Sequence, residues 1–189
     1  MSLTNVSILE QIRARVTKTL RDGIQLDMST DESKKFLKRH ANRKMNVTII
    51  FIDINNSTEM SLSLLEDRFA LMIQTFAQEI SVAVKGYGGY VFKYEGDAVI
   101  VLFPGEYDQV KACENALNCT TSILEIIGKI INPAFKENGL PQITLRIGLD
   151  FGDALVVPYG ESSYRYNWFK YKDSCEDCFR STTQSSVNR

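Results

Sequence analysis

Val47-Thr48-Ile49-Ile50-Phe51-Ile52-Asp53 opens the stretch that decides the fold, and Tyr90-Val91-Phe92-Lys93-Tyr94-Glu95-Gly96-Asp97-Ala98-Val99-Ile100-Val101-Leu102-Phe103 closes it. The first run is short, apolar and β-branched, and Asn55-Asn56-Ser57 bounds it, so it reads as a buried strand. The second reads as a hairpin with Glu95-Gly96 as a two-residue turn. An acidic residue at the end of one strand and another just past a hairpin tip meet if the strands are neighbours. Two carboxylates on one point repel, and a hard divalent ion such as Mg²⁺ is the natural occupant between them. Asp53 and Asp97 are therefore the candidate metal ligands and catalytic residues.

Between these runs lies a helix, expected over Leu64 to Lys85, with Ser63 and Glu66 as a capping box. Leu65, Phe69, Met72, Phe76, Ile80 and Val84 recur at helical spacing, so the aromatic and methionine stripe reads as core. Gly86, Gly88 and Gly89 lead from it into the hairpin. A second helix, Asp108 to Ile131, carries Val110, Cys113, Leu117, Ile123 and Ile127 as its expected buried stripe. Asn132-Pro133 and Asn138-Gly139 mark a loop. Ile143 to Leu149 and Ala154 to Val157 are two further strands. The order is βαββαβ, an α+β, ferredoxin-like palm with its helices on one face of the sheet.

Phe51-Ile52-Asp53-Ile54-Asn55-Asn56-Ser57-Thr58 and Lys93-Tyr94-Glu95-Gly96-Asp97-Ala98 resemble the two signature motifs of the class III adenylate and guanylate cyclases. Arg146-Ile147-Gly148-Leu149-Asp150-Phe151-Gly152-Asp153-Ala154 resembles a third segment of that family. The resemblance covers Val47 to Gly160. It implies the nucleotide cyclase fold and conversion of ATP to cyclic AMP and pyrophosphate by two ions, Mg²⁺ or Mn²⁺, per site. It places Asp53 and Asp97 on the metals, with the backbone carbonyl of Ile54 completing one shell. Asn55, Asn56, Ser57, Thr58 and Gly96 belong to the substrate-binding motifs. Lys93 is implied as the base selector, because a lysine donor suits the adenine N1 acceptor and meets guanine N1–H with the wrong polarity. Glu95 either pairs with Lys93 or sits exposed at the turn. The family works as dimers, with metal carboxylates and base selector contributed by different subunits, so a homodimer is expected. A non-catalytic cyclase-fold module for nucleotide binding or dimerisation is the alternative. A diguanylate cyclase palm is opposed by the lack of a GGDEF-like hairpin.

The chain of 189 residues divides into residues 1–46, a helix and charged linker; 47–160, the cyclase core; and 161–189, an atypical tail. Ser7 to Arg21 reads as a helix with Ile8, Ile12, Val16 and Leu20 on one stripe, either packed on its own domain or offered to a partner. Residues 29–46 are charged and read as a solvated helix or linker. The tail lacks the family's next segment, which supplies an Asp for the base, an Asn for the ribose and an Arg for the transition state. Permitted codons for Arg165 to Phe179, read one base later, encode DITGSSIKIAARIA. That peptide restores the Asp, Gly and Arg at the family's spacing, so a frameshift is one reading of the tail and a divergent or truncated end is the other. Sequencing the coding DNA decides between them.

Twenty-two Lys and Arg against 23 Asp and Glu leave no basic excess for a nucleic-acid surface. No apolar run is long enough to span a membrane and no secretory leader opens the chain, so a cytoplasmic location is expected. Cys113 and Cys119 fall on different faces of a helix, and Cys175 and Cys178 form a C-x-x-C without the further ligands zinc needs.

Overall fold

The computed structural model describes residues 6–23, 30–159 and 165–170. The elements run α1 (Val6–Asp22), α2 (Asp31–Arg39), β1 (Lys44–Ile54), α3 (Ser57–Ser63), α4 (Glu66–Gly86), β2 (Tyr90–Glu95), β3 (Ala98–Pro104), α5 (Gln109–Ile126), a π-helical stretch (Ile127–Ile131), α6 (Asn132–Glu137), β4 (Leu145–Tyr159) and β5 (Arg165–Lys170). The sheet order is β2-β3-β1-β4-β5, and every pairing is antiparallel. Its first four strands, with the intervening helices, form the expected βαββαβ palm.

Alternation along β1 builds two cores. Ile50, Ile52 and Ile54 face the main cluster with Val99, Val101 and Phe103 of β3, under Met72, Phe76, Ile80 and Val84 of α4. Met45 and Val47 point the other way, into a cluster with Leu102, Ala154 and Val156. That second cluster is closed by Phe36 and Leu37 of α2. The charged segment before β1 is thus the helix of the two forms expected, but not a wholly solvated one: Phe36 and Leu37 are buried, and a helix covers each face of the sheet. β1 also begins at Lys44 rather than Val47.

The expected α1 helix forms, and three of its four stripe residues turn inward, while Ile8 is exposed. Ile12 and Val16 lie in the main cluster, while Leu20 packs against it. Arg15 makes a two-pronged ion pair with Glu79 of α4, at 2.6 and 2.8 Å. Thr19 accepts a hydrogen bond from buried Gln78 at 2.8 Å. This helix packs on its own domain.

Four local expectations are corrected. The helix expected from Leu64 begins at Glu66, because residues 57–63 form the separate α3 and Ser63 Oγ is spent on the Met60 carbonyl at 3.1 Å. Leu65, at the bend between the two helices, is 71% exposed. On α5 the buried residues are Ala112, Ala116, Cys119, Ser122, Ile123 and Ile126, while Val110 and Leu117 point outward. Asn132-Pro133 does not break the helix, since proline in the first turn needs no N–H partner. The two short strands expected after it are one, β4, of 15 residues. It pairs along the whole of β1, from Lys44↔Leu155 to Ile54↔Leu145, which overrides the local turn signals of Gly148 and Gly152.

The Asn132 side chain fastens the end of the helical run to the chain entering β4. Its Nδ2 donates to the Ile143 carbonyl at 2.9 Å, and its Oδ1 accepts from Ile143 N–H at 2.8 Å. Beyond β4, β5 adds an edge strand with Ala154↔Lys170 and Tyr159↔Arg165 as its end pairs. Of the residues on which the frameshift reading rests, only this strand is described. Cys175 and Cys178 lie outside the described residues. Cys113 and Cys119 are both free, and burial pushes the Cys119 thiol up to about 12. No helix among the described residues is long and apolar enough to cross a membrane.

Candidate active site

The hairpin turn lies one residue later than expected. Glu95 pairs with Ala98, so the two turn residues are Gly96 and Asp97. Gly96 takes φ +63°, which a hairpin turn of this length asks of its first central position and which glycine adopts without strain. The shift puts Asp97 on the tip itself. Asp53 lies opposite Ala98 in the β1–β3 register, so the two acidic residues meet where β1 and the hairpin come together.

The Asp53 and Asp97 carboxyl groups lie close enough to shift each other's titration. Burial, and then the bond and charge of Asp97, raise Asp53 above the ordinary carboxylate value against the pull of Arg146. Burial acts to raise Asp97 as well. Hydrogen bonds from Ser57, from Asp53 and from its own backbone outweigh it, so Asp97 is lowered. The two carboxyls thus titrate as an interacting pair, Asp53 above and Asp97 below the ordinary carboxylate value.

Arg146 is the residue that the sequence reading quoted inside a motif but gave no role. It stands opposite Asp53 in the β1–β4 register, and its Nη2 donates to Asp53 Oδ2 at 2.6 Å. Only the pairing of β4 with β1 reveals the contact, because the two residues are 93 positions apart.

The remaining candidates divide. Ser57 bonds Asp97, and Ser57, Thr58, Gly96 and Asp97 line a cavity of about 510 Å³ floored by Phe69 and Ile73 of α4. Asn55 turns away: its backbone N–H and its Nδ2 bond the Thr144 carbonyl and hydroxyl at 2.9 and 3.0 Å. Asn56 shapes the turn before α3, with φ +57°. Lys93 lines neither cavity at Asp97. A bulge at Phe92 re-aims the strand so that Tyr94 packs on the main core, and Lys93 and Glu95 share the opposite side. Lys93 Nζ meets Glu95 Oε2 at 2.9 Å, and the Glu95 side chain is 64% exposed, so Glu95 both pairs with Lys93 and faces solvent.

Among the described residues no three His, Cys, Asp or Glu side chains gather. The donors at the site are two carboxylates and nearby backbone carbonyls. This suits Mg²⁺ or Mn²⁺, which take one or two carboxylates and fill the remaining positions with substrate phosphate oxygens and water. A closed structural metal site needs more ligands than this.

The chain matches the adenylate and guanylate cyclase catalytic domain over residues 39–184. It is 29% identical over 119 residues to a cytidylate cyclase of Escherichia coli, covering 60% of this chain and 26% of that protein. It is 26% identical over 121 residues to a uridylate cyclase of Burkholderia cepacia, covering 63% of this chain and 51% of that protein. The adenylyl cyclase CyaB from P. aeruginosa superposes with a TM-score of 0.64 at 22% identity, over 76% of this chain and 73% of that one. The chain thus spans about a quarter and about half the length of these two relatives.

Proposed function

Because this chain belongs to the adenylate and guanylate cyclase catalytic domain family, we propose that it closes a nucleoside triphosphate, ATP in the first instance, into its 3′,5′-cyclic monophosphate and pyrophosphate. The observation that carries this reading is the meeting of Asp53 with Asp97, which itself lines a cavity large enough for a phosphate chain.

The reaction is an intramolecular phosphoryl transfer. The ribose 3′-hydroxyl attacks the α-phosphate, its proton leaves, and pyrophosphate departs. Divalent ions supply a lower pKa for the hydroxyl and neutralise charge on the phosphate oxygens. Asp53 and Asp97, with the Ile54 carbonyl, hold them. Hydrogen bonding from Ser57 favours the ionised form of Asp97 against the effect of burial. Ser57 and Thr58, on the cavity wall, offer hydroxyl donors to phosphate oxygens. The Arg146 guanidinium is the cation beside the carboxylate pair.

Lys93 serves a different site. It lines neither cavity at Asp97 although its neighbour Tyr94 lines one of them, which fits a homodimer in which each subunit lends its lysine to the other's carboxylates. A lysine donor matches an unprotonated ring nitrogen, adenine N1 or cytosine N3. The cytidylate cyclase relative makes CTP the second reading.

Purified protein incubated with ATP, CTP, GTP or UTP and Mn²⁺ tests the reading. Cyclic AMP, or cyclic CMP for the second reading, is the expected product. No cyclic product from any of the four sinks the cyclase assignment and leaves the nucleotide-binding module.

A further inference from the structure

We propose that Arg146 is a built-in competitor for the divalent ion: it holds Asp53 until an anionic ligand draws it away. This rests on the reading above, in which Asp53 and Asp97 are the ion's carboxylates. The guanidinium contacts Asp53 Oδ2 at 2.6 Å, on the oxygen-bearing edge that an ion would need. Its place is set by backbone register, Asp53↔Arg146, so the contact is built into the pairing of β1 with β4. The Arg146 side chain is 59% exposed and the Asp53 side chain 30%, so the long arm can swing into solvent while the short carboxylate stays.

Charge sets the direction of the effect. A divalent ion entering beside Asp53 faces a fixed positive charge one side chain away, and at that range the repulsion in a partly solvated site is worth at least about a factor of ten in affinity. A triphosphate relieves it by offering the guanidinium a better partner, since arginine binds phosphate oxygens through paired N–H groups. Coupling of this kind is reciprocal: whatever draws Arg146 away tightens the ion, and the ion releases Arg146 to the phosphates. The carboxylate pair therefore fills with metal chiefly when nucleotide is present.

Mn²⁺ binding to the nucleotide-free protein, followed by the loss of free-ion EPR signal, tests this without any turnover. Wild type, Arg146→Ala, Arg146→Lys and Asp53→Asn are compared, each checked for its fold by circular dichroism. Arg146→Ala is expected to bind Mn²⁺ about tenfold tighter than wild type. Arg146→Lys, which keeps the charge, stays near wild type, and Asp53→Asn loses the site. If Arg146→Ala binds no tighter while Asp53→Asn still loses the ion, the competitor role is overturned and the metal reading stands. If Asp53→Asn binds as wild type does, the metal reading itself fails, and the competitor role with it.

Discussion

Arg15 of α1 reaches Glu79 of α4 with both prongs of its guanidinium, Nη2 to Oε2 at 2.6 Å and Nε to Oε1 at 2.8 Å. The Glu79 side chain is fully buried and that of Arg15 is 27% exposed. Arg15→Ala leaves the carboxylate buried without its counter-charge and costs about 3 kcal/mol, the low end for breaking a buried pair because Arg15 already sees water. Arg15→Met with Glu79→Leu removes both charges and recovers most of that loss. Urea unfolding midpoints of the three variants decide it, and an equal loss in the single and double variants counts against the ion pair as the cause.

Asp53→Ala and Asp97→Ala each remove a carboxylate from the pair. Cyclic nucleotide formation is expected to fall by about a thousandfold or more in both, because the proposed two-ion chemistry has no substitute for a shared ligand. Product formation under Mn²⁺ is the measurement. Activity that survives Asp53→Ala removes that residue from the metal site.

Lys93→Glu exchanges a donor for an acceptor. Preference is expected to move from bases with an unprotonated ring nitrogen, adenine and cytosine, toward guanine and uracil, whose ring nitrogen carries a proton. The ratio of rates for ATP over GTP, or CTP over UTP, should drop by about tenfold or more. An unchanged ratio would leave Lys93 as a surface lysine paired with Glu95.

Asp53 is raised by burial and by its bond to Asp97, so the folded protein binds that proton more tightly than the unfolded chain does. A raised carboxyl is a stabilising feature at low pH that is lost as pH rises through the folded value. In chelator, Asp53→Asn is therefore expected to melt above wild type at pH 7. The gap closes on acidification through the carboxylate range, and thermal melts from pH 7 to pH 4 read it. A gap that widens on acidification reverses the assigned direction.

Gly89 ends the approach to the hairpin directly over a buried ring. A Cβ added there would lie 2.7 Å from Phe103 Cζ and 2.8 Å from Cε1. Phe103 is 1% exposed and has nowhere to retreat. Gly89→Ala is expected to cost about 1–3 kcal/mol by overpacking. Gly89→Ala with Phe103→Leu should regain part of it, as read from denaturant midpoints.

Much of this was legible in the chain, and the misses have physical causes. The α4 stripe could be read because large residues at helical spacing do face the sheet: Met72, Phe76, Ile80 and Val84 are all buried. α5 misled because its contact is made by small residues. Ala112, Ala116 and Cys119 let the helix approach closely, while the larger Val110 and Leu117 remain outside at 69% and 58% exposure. α2 was hidden by its charge, since only Phe36 and Leu37 reveal a buried side. The turn slipped by one residue because Gly96 fits either position by composition, and only the Glu95↔Ala98 pair fixes it. The acidic pair could be read from its motifs. Arg146 could not, because its meaning lies in a strand register that no local pattern states.

The π-helical stretch at Ile127–Ile131 makes the length of the connecting helix a fixed quantity. Such a stretch accommodates one surplus residue. Without the wide turn, that same residue would rotate everything after it by roughly 100° about the helix axis. Asn132 would swing off Ile143, the clamp that feeds the chain into β4 would open, and the strand bearing Arg146 would lose its anchor at the near end. An apparent irregularity in the connecting helix is thus what keeps Asn132 in phase with Ile143.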